Sequence, residues 1–188
     1  MSNSTSTLAA PSGLVNTVFL AGAAGVAVSL ALVLMNMAGE GHASFNTTSD
    51  GIVWGLPVST YLFFVVMSTG LTFVAAFGMV FGIKEFYPVA KRCVWLAFAT
   101  LVAGFTALAF ELGHPFRMLW ALPTSFQIVS PMNWMGVLYG AELLFIIWKM
   151  QKLAAGDWES SASRKLGMAS FIAAILAVAM LGSVFGMM

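Results

Sequence analysis

A run of some 20 apolar residues has few places to go, because about that many helical residues reach across roughly 30 Å of hydrocarbon. This chain has five such runs, at residues 14–38, 60–83, 93–112, 131–148 and 166–188. Lipid offers no hydrogen bonds to a bare backbone, so each run must satisfy its own N–H and C=O groups as a helix. The expected fold is therefore an all-α integral membrane protein. It is a bundle of about five transmembrane helices in one domain spanning 1–188, with a flexible tail at 1–12. Composition agrees: 8% of the residues are charged, and mean hydropathy is +0.94. A soluble domain would carry about a quarter charged residues. The net charge of +1 gives no electrostatic reason for a nucleic-acid partner. Loops this short leave no room for a soluble domain, and no internal repeat is visible.

Orientation follows from lysine and arginine. Lys84, Lys91, Arg92, Lys149, Lys152, Arg164 and Lys165 fall around the second and fourth loops, Arg117 alone falls in the third, and the first has none. By the positive-inside rule the second and fourth loops and the N-terminus face the cytoplasm. The first and third loops and the C-terminus then face outward. The first basic residue is Lys84, so the charged leader of a cleavable signal peptide is missing. Gly78 with Gly82, Gly136 with Gly140, and Gly182 with Gly186 are spaced as small-xxx-small pairs, which favour close helix packing.

Charge inside the apolar runs is concentrated. The stretch FELGHPFRMLW places Glu111, His114 and Arg117 together at the end of the third run. Gly113 favours a helix C-cap and Pro115 disfavours helix before it, so the third helix is expected to stop near Leu112. His114 and Arg117 then belong to an outer turn, with Glu111 just inside the helix. A lipid phosphate or a pairing with Glu111 would also account for Arg117.

SPMNW reads as a helix start, with Ser130 at the N-cap and Pro131 at the first helical position. Tyr139 and Glu142 follow on one face, and Glu142 falls about 16 Å below Pro131, near the bilayer midplane. An intramembrane acid is a functional candidate by default, with a neutral acid bonded to a neighbouring helix as the structural alternative. His42 and Asp50 lie in the outer first loop, where a solvated loop accounts for them. His42 is nonetheless kept among the candidates. The 13 methionines are scattered over apolar faces as filling.

No histidine lies within the five runs, so axial ligands for a membrane haem are missing, and a haem-carrying cytochrome is not expected. The single cysteine, Cys93, can form neither an internal disulfide nor a cysteine-held iron–sulfur cluster. No phosphate-binding loop, nucleophilic triad or metal-ligand spacing is present.

The motifs WGLPVSTYLFF, ELGHPFRMLW and SPMNWMGVLY, in that order, resemble the membrane subunit of the polysulfide reductase (NrfD-type) family. The resemblance covers about residues 54–142, and His114 stands where the family has an arginine. It implies a haem-free, quinone-reactive membrane anchor, taking menaquinone or ubiquinone. Such an anchor exchanges electrons with an iron–sulfur subunit that serves a catalytic subunit, often of the molybdopterin type. It also implies a bacterial or archaeal inner membrane. Family members have eight or more spans in two bundles, so the second bundle is expected on a further membrane subunit, or to be lost.

The residues and the resemblance converge on the outer half of the membrane. Quinone chemistry needs hydrogen-bond partners for two carbonyls and titratable groups for two protons. Tyr139, Glu142, His114, Glu111, Arg117 and His42 are the candidates for quinone binding and proton relay. A proton- or ion-translocating subunit would also use Glu142, and a purely structural anchor would need none of these groups. The charge asymmetry generates a direct test. Asp50→Cys is expected to react with an impermeant thiol reagent in intact cells, whereas labelling only after permeabilisation would reverse the orientation.

Overall fold

The computed structural model describes residues 12–40, 55–111, 120, 124–157 and 159–186. It divides into two compact units, 1–53 and 54–188. Helix α1 (Ser12–Glu40) in the first unit has 29 residues and no charge before Glu40. The second unit holds α2 (Leu56–Met79), a 3-10 turn (Lys84–Phe86), α3 (Tyr87–Glu111), α4 (Pro131–Ala154) and α5 (Ser161–Gly186). The tail at 1–11, His42, Asp50, Gly113, His114, Pro115 and Arg117 lie outside the described residues.

The fold is that of an all-α, multi-pass membrane protein. By length and composition α1, α2, α3 and α5 can each cross a bilayer. Five crossing runs were expected. Helix α4 is also long, at 24 residues, but Asn133, Glu142, Lys149 and Lys152 make it more polar than the others. Its polarity is turned inward: Tyr139, Glu142 and Lys149 are all buried.

The helices overrun the apolar segments at their charged ends. Lys91 and Arg92 belong to the first turns of α3, Lys149 and Lys152 to the last turns of α4, and Arg164 and Lys165 to the first turn of α5. Hydropathy falls where charge begins, but backbone hydrogen bonding continues until a turn residue stops it. Gly82 (φ +70°) and Gly156 (φ +73°) supply those turns, in a left-handed conformation that suits glycine. At the other end Pro57 and Pro131 open α2 and α4, where a missing N–H is harmless. Ser130 occupies the N-cap of α4 as expected, yet its side chain makes no capping bond. The chain is held there instead by the Trp134 indole, which donates to Ile128 O at 2.8 Å, and by an edge-to-face contact of Phe126 with Trp134.

Helix α2 packs chiefly on α3 and α4 on α5; α2 also meets α5, and α3 meets α4, so the four enclose a common core. Val65, Val94, Ala97, Leu101, Ile146 and Ala177 are completely buried there. Ser68 Oγ donates to Ala97 O at 2.9 Å, tying α2 to α3. Phe73 and Phe171 meet edge to face at 5.3 Å, joining α2 to α5.

The close approaches use different glycines from those the spacing picked out. Gly78 does pack tightly, against Ala90, but Gly82 is in a turn, and Gly140, Gly182 and Gly186 meet nothing within 4 Å. Gly104 and Gly167 do that work instead. A Cβ on Gly167 would lie 3.1 Å from Val80 Cγ2 and 3.2 Å from Met79 Cβ. A small-xxx-small spacing marks a helix face that can be approached and does not tell which face is approached.

The described basic residues gather at one end of the bundle. Arg164 Nε donates to Val80 O at 3.1 Å, fastening the start of α5 to the end of α2. Lys84 pairs with Glu159 at 3.6 Å across the same gap, well exposed to solvent and so of little weight. In the α4–α5 turn, Asp157 accepts from the Ser160 hydroxyl at 2.8 Å and from Lys152 Nζ at 3.0 Å. Those two bonds, Ser160 first, hold its carboxyl below the usual carboxylate range.

Gly167→Val should destabilise the chain by about 1–3 kcal/mol, because the added atoms press on Met79 and Val80. Gly140→Ala, in open space on α4, should leave stability unchanged or slightly raised. Thermal unfolding in detergent reads both, and equal effects would contradict the packing described.

Candidate functional site

Tyr139 and Glu142 are one helical turn apart on α4, so the fold that buries one buries the other. Both are completely inaccessible, in the interior of the four-helix unit. From α2, Thr72 Oγ1 donates to Glu142 Oε1 at 3.1 Å. Glu142 Oε2 has no partner among the described residues. The Tyr139 hydroxyl is likewise buried without one. Thr69 lies beside it, but its own proton goes to Val65 O at 3.0 Å. Tyr61, 3% exposed and stacked on Phe105, is near enough to interact electrostatically with Tyr139.

Buried polar atoms are nearly always bonded, and one left alone costs about 1–3 kcal/mol. Two such atoms a turn apart form a local polar deficit inside an apolar bundle. A phenol can donate or accept, and a carboxyl can do either as its protonation changes. The pair can therefore hold a ligand oxygen or pass a proton.

Of the six candidates named from the sequence, the structure brings Tyr139 and Glu142 together. Glu111 ends α3 at the same end of the bundle as Pro131, but its side chain lies outside the described residues, as do His114, Arg117 and His42 altogether. Residues missed from the sequence are Thr72, Thr69, Tyr61 and Lys149. Ser68, Thr69 and Thr72 form a polar stripe along α2 that could have been noticed, although threonine in a membrane helix often only bonds its own backbone. Lys149 was counted with the solvated loop cations. It is instead 2% exposed, held within α4 seven residues beyond Glu142 on the same face.

A family model described as polysulphide reductase, NrfD, matches residues 44–188. The chain belongs to that family. All three motifs noted in the sequence fall inside the matched span, as do α2 to α5. Over 115 residues this NrfD-family chain is 28% identical to a protein from Mesobacillus selenatarsenatis described as a selenate reductase subunit. That alignment covers 61% of this chain and 27% of the relative, so the chain spans about a quarter of that relative's length. No solved structure matches.

Thr72→Val keeps the shape of the side chain and removes the donor to Glu142, leaving both carboxyl oxygens without a protein partner. It should destabilise the chain by about 1–3 kcal/mol, while Thr72→Ser restores most of the loss. Detergent unfolding that ranks valine level with serine would remove the bond from the account of this site.

Proposed function

We propose that this chain is the haem-free, quinone-reactive membrane subunit of a respiratory-type reductase complex. It exchanges electrons between the membrane quinone pool and an iron–sulfur subunit, which serves a catalytic subunit of the molybdopterin type. A further membrane subunit and the surrounding lipid complete its environment in a bacterial or archaeal inner membrane. Membership of the NrfD family supports the class. The similarity to a protein named as part of a selenate reductase supports a place in a reductase complex.

The observation that carries the reading to particular residues is the pair of buried, unpartnered oxygens, Tyr139 Oη and Glu142 Oε2. They fit the polar edge of a quinone, whose carbonyls need donors and whose reduction needs protons. A bound quinone would supply the two-electron, two-proton exchange. The Tyr139 hydroxyl donates a hydrogen bond to a carbonyl oxygen. Glu142, fixed in orientation by Thr72, holds or releases the proton that balances the charge. The surrounding apolar helices exclude bulk water. His114, Glu111, Arg117 and His42 are the further candidates for binding and proton relay in this reading.

Tyr139→Phe removes one hydroxyl and preserves packing. Assembly of the complex should survive while quinol-linked activity falls about fivefold, the equivalent of about 1 kcal/mol, or further if the hydroxyl also relays a proton. Glu142→Gln should affect turnover more than quinone affinity. The control is activity of the catalytic subunit with an artificial dye, which bypasses the membrane subunit. A pair of variants with wild-type quinol activity would make Tyr139 and Glu142 ordinary bundle packing, as in a purely structural anchor.

A further inference from the structure

We propose that the cleft between the α2–α3 connection and the start of α5 binds one anionic phospholipid, with its phosphate held by Arg164 and Lys84 and an acyl chain laid along Phe77 and Phe81. The site is independent of the quinone reading.

Gly82, Lys84 and Tyr87 from the α2–α3 connection, with Glu159 and Arg164 from the far side, line a cavity of about 280 Å³. Its two walls are fastened together, because Arg164 Nε donates to Val80 O at 3.1 Å. That bond orients the guanidinium and leaves its Nη groups without an acceptor among the described residues. Gly82 keeps the space beside them clear, since even a Cβ there would lie 3.6 Å from Arg164 Nη2. A guanidinium fixed through Nε presents its Nη groups as a planar fork, which suits two oxygens of one phosphate.

The charges select the kind of phosphate. Lys84 and Arg164 against Glu159 leave the cavity with one net positive charge. The Lys84 and Glu159 side chains are 80% and 71% exposed, and their contact at 3.6 Å is weak, so Lys84 can turn to a stronger anion. Glu159 remains beside that anion and discriminates. A phosphodiester carries a single negative charge and matches the site, whereas a phosphate monoester or inorganic phosphate carries more and is repelled. The glycerol hydroxyls of a phosphatidylglycerol headgroup can donate to the Glu159 oxygens, which a choline headgroup cannot do. Basic pockets between helices at a membrane surface are where such headgroups bind.

The surface next to the cavity makes the ligand a lipid. Phe81 precedes Gly82, and Phe86 lies between Lys84 and Tyr87, so apolar rings alternate along the chain with cavity-lining residues. Phe86 and Phe81 both meet Phe77, with ring centroids 5.3 and 5.9 Å apart. Phe81 also meets Phe171 at 6.4 Å, and Phe171 meets Phe73 at 5.3 Å. At 1.5 Å per residue Phe171 lies about 15 Å into α5, so the rings run from the charged end well into the apolar bundle. Phe77, Phe81 and Phe86 are all exposed. A cationic cavity continued by an exposed aromatic track accepts a headgroup first and a chain after it. A water-soluble anion would use the cavity and leave the rings bare. A lipid seated there bridges the α2–α3 connection to the start of α5 and stabilises that end of the folded chain by mass action.

The test uses the full chain purified in detergent. Dioleoylphosphatidylglycerol is the probe, dioleoylphosphatidylcholine the comparison and inorganic phosphate the free anion. Native mass spectrometry reads bound lipid, and thermal unfolding reads its effect on stability. Phosphatidylglycerol should bind at least about fivefold more tightly than phosphatidylcholine and raise the Tm, while millimolar phosphate should not. Lys84→Gln, at an exposed position, should weaken phosphatidylglycerol about fivefold, the effect of one cation near a headgroup. Lys165→Gln removes the same charge from the first turn of α5 outside the cavity and should change little. Glu159→Gln should tighten binding, and Phe81→Ala should weaken it. Arg164→Gln should lose most of it, and if that variant fails to fold, the exposed Lys84→Gln and Phe81→Ala decide. Equal retention of the two lipids, equal losses for Lys84→Gln and Lys165→Gln, or weaker binding in Glu159→Gln would each overturn the site. Phosphate that raises the Tm as phosphatidylglycerol does, with Phe81→Ala indifferent, would assign the cavity to a free anion and overturn the lipid.

Discussion

A bilayer cannot solvate a carboxylate, and the second unit is arranged around that constraint. Glu142 has no access to water, so its oxygens depend on what neighbouring helices bring to them. Thr72 reaches across from α2 to one of them. That bond ties α2 to α4 across the core. Ser68, one turn earlier on α2, makes the corresponding bond to the backbone of α3. A narrow polar stripe on α2 thus bonds to two other helices, and the apolar packing of Val65, Leu101 and Ile146 fills in around it.

Much of this was legible in the residues. Long apolar runs pointed to an all-α membrane protein, and Ser130 with Pro131 located the start of α4. Glu142 stood out because an acid within an apolar run has few innocent explanations. What could not be read was tertiary. Thr72 and Glu142 are separated by 70 positions, and nothing in either segment names the other. Lys149 misled for a related reason: a lysine near the end of an apolar run resembles a loop cation, and only the packing of α4 shows it enclosed. The glycine pairs failed because spacing describes one helix, whereas close approach is a property of two. The outer turn, with His114 and Arg117, lies outside the described residues.

The NrfD assignment and the polar seam bear on different levels. Family membership speaks for the class of molecule, since it covers α2 to α5 as a whole. The seam speaks for particular atoms. A redox-linked membrane subunit needs a place where protons and electrons arrive together, and an apolar bundle can provide it only by leaving some polar groups incompletely satisfied. Such groups are a cost to stability that a purely structural bundle could avoid by substituting phenylalanine for tyrosine and leucine for glutamate.

The fastening of Arg164 to the Val80 carbonyl has a mechanical meaning as well as an energetic one. Together with the tight α4–α5 turn and the 3-10 connection between α2 and α3, it gathers four helix ends into a single knot. Long helices clamped at one end behave like the tines of a fork. A small angular displacement at the clamp becomes a large separation at the free tips, and a displacement at the tips is barely felt at the clamp. Over the length of α4 a tilt of a few degrees opens about 2 Å at the far end. The distances around Lys149, close to the clamp, are the ones that such a tilt changes least.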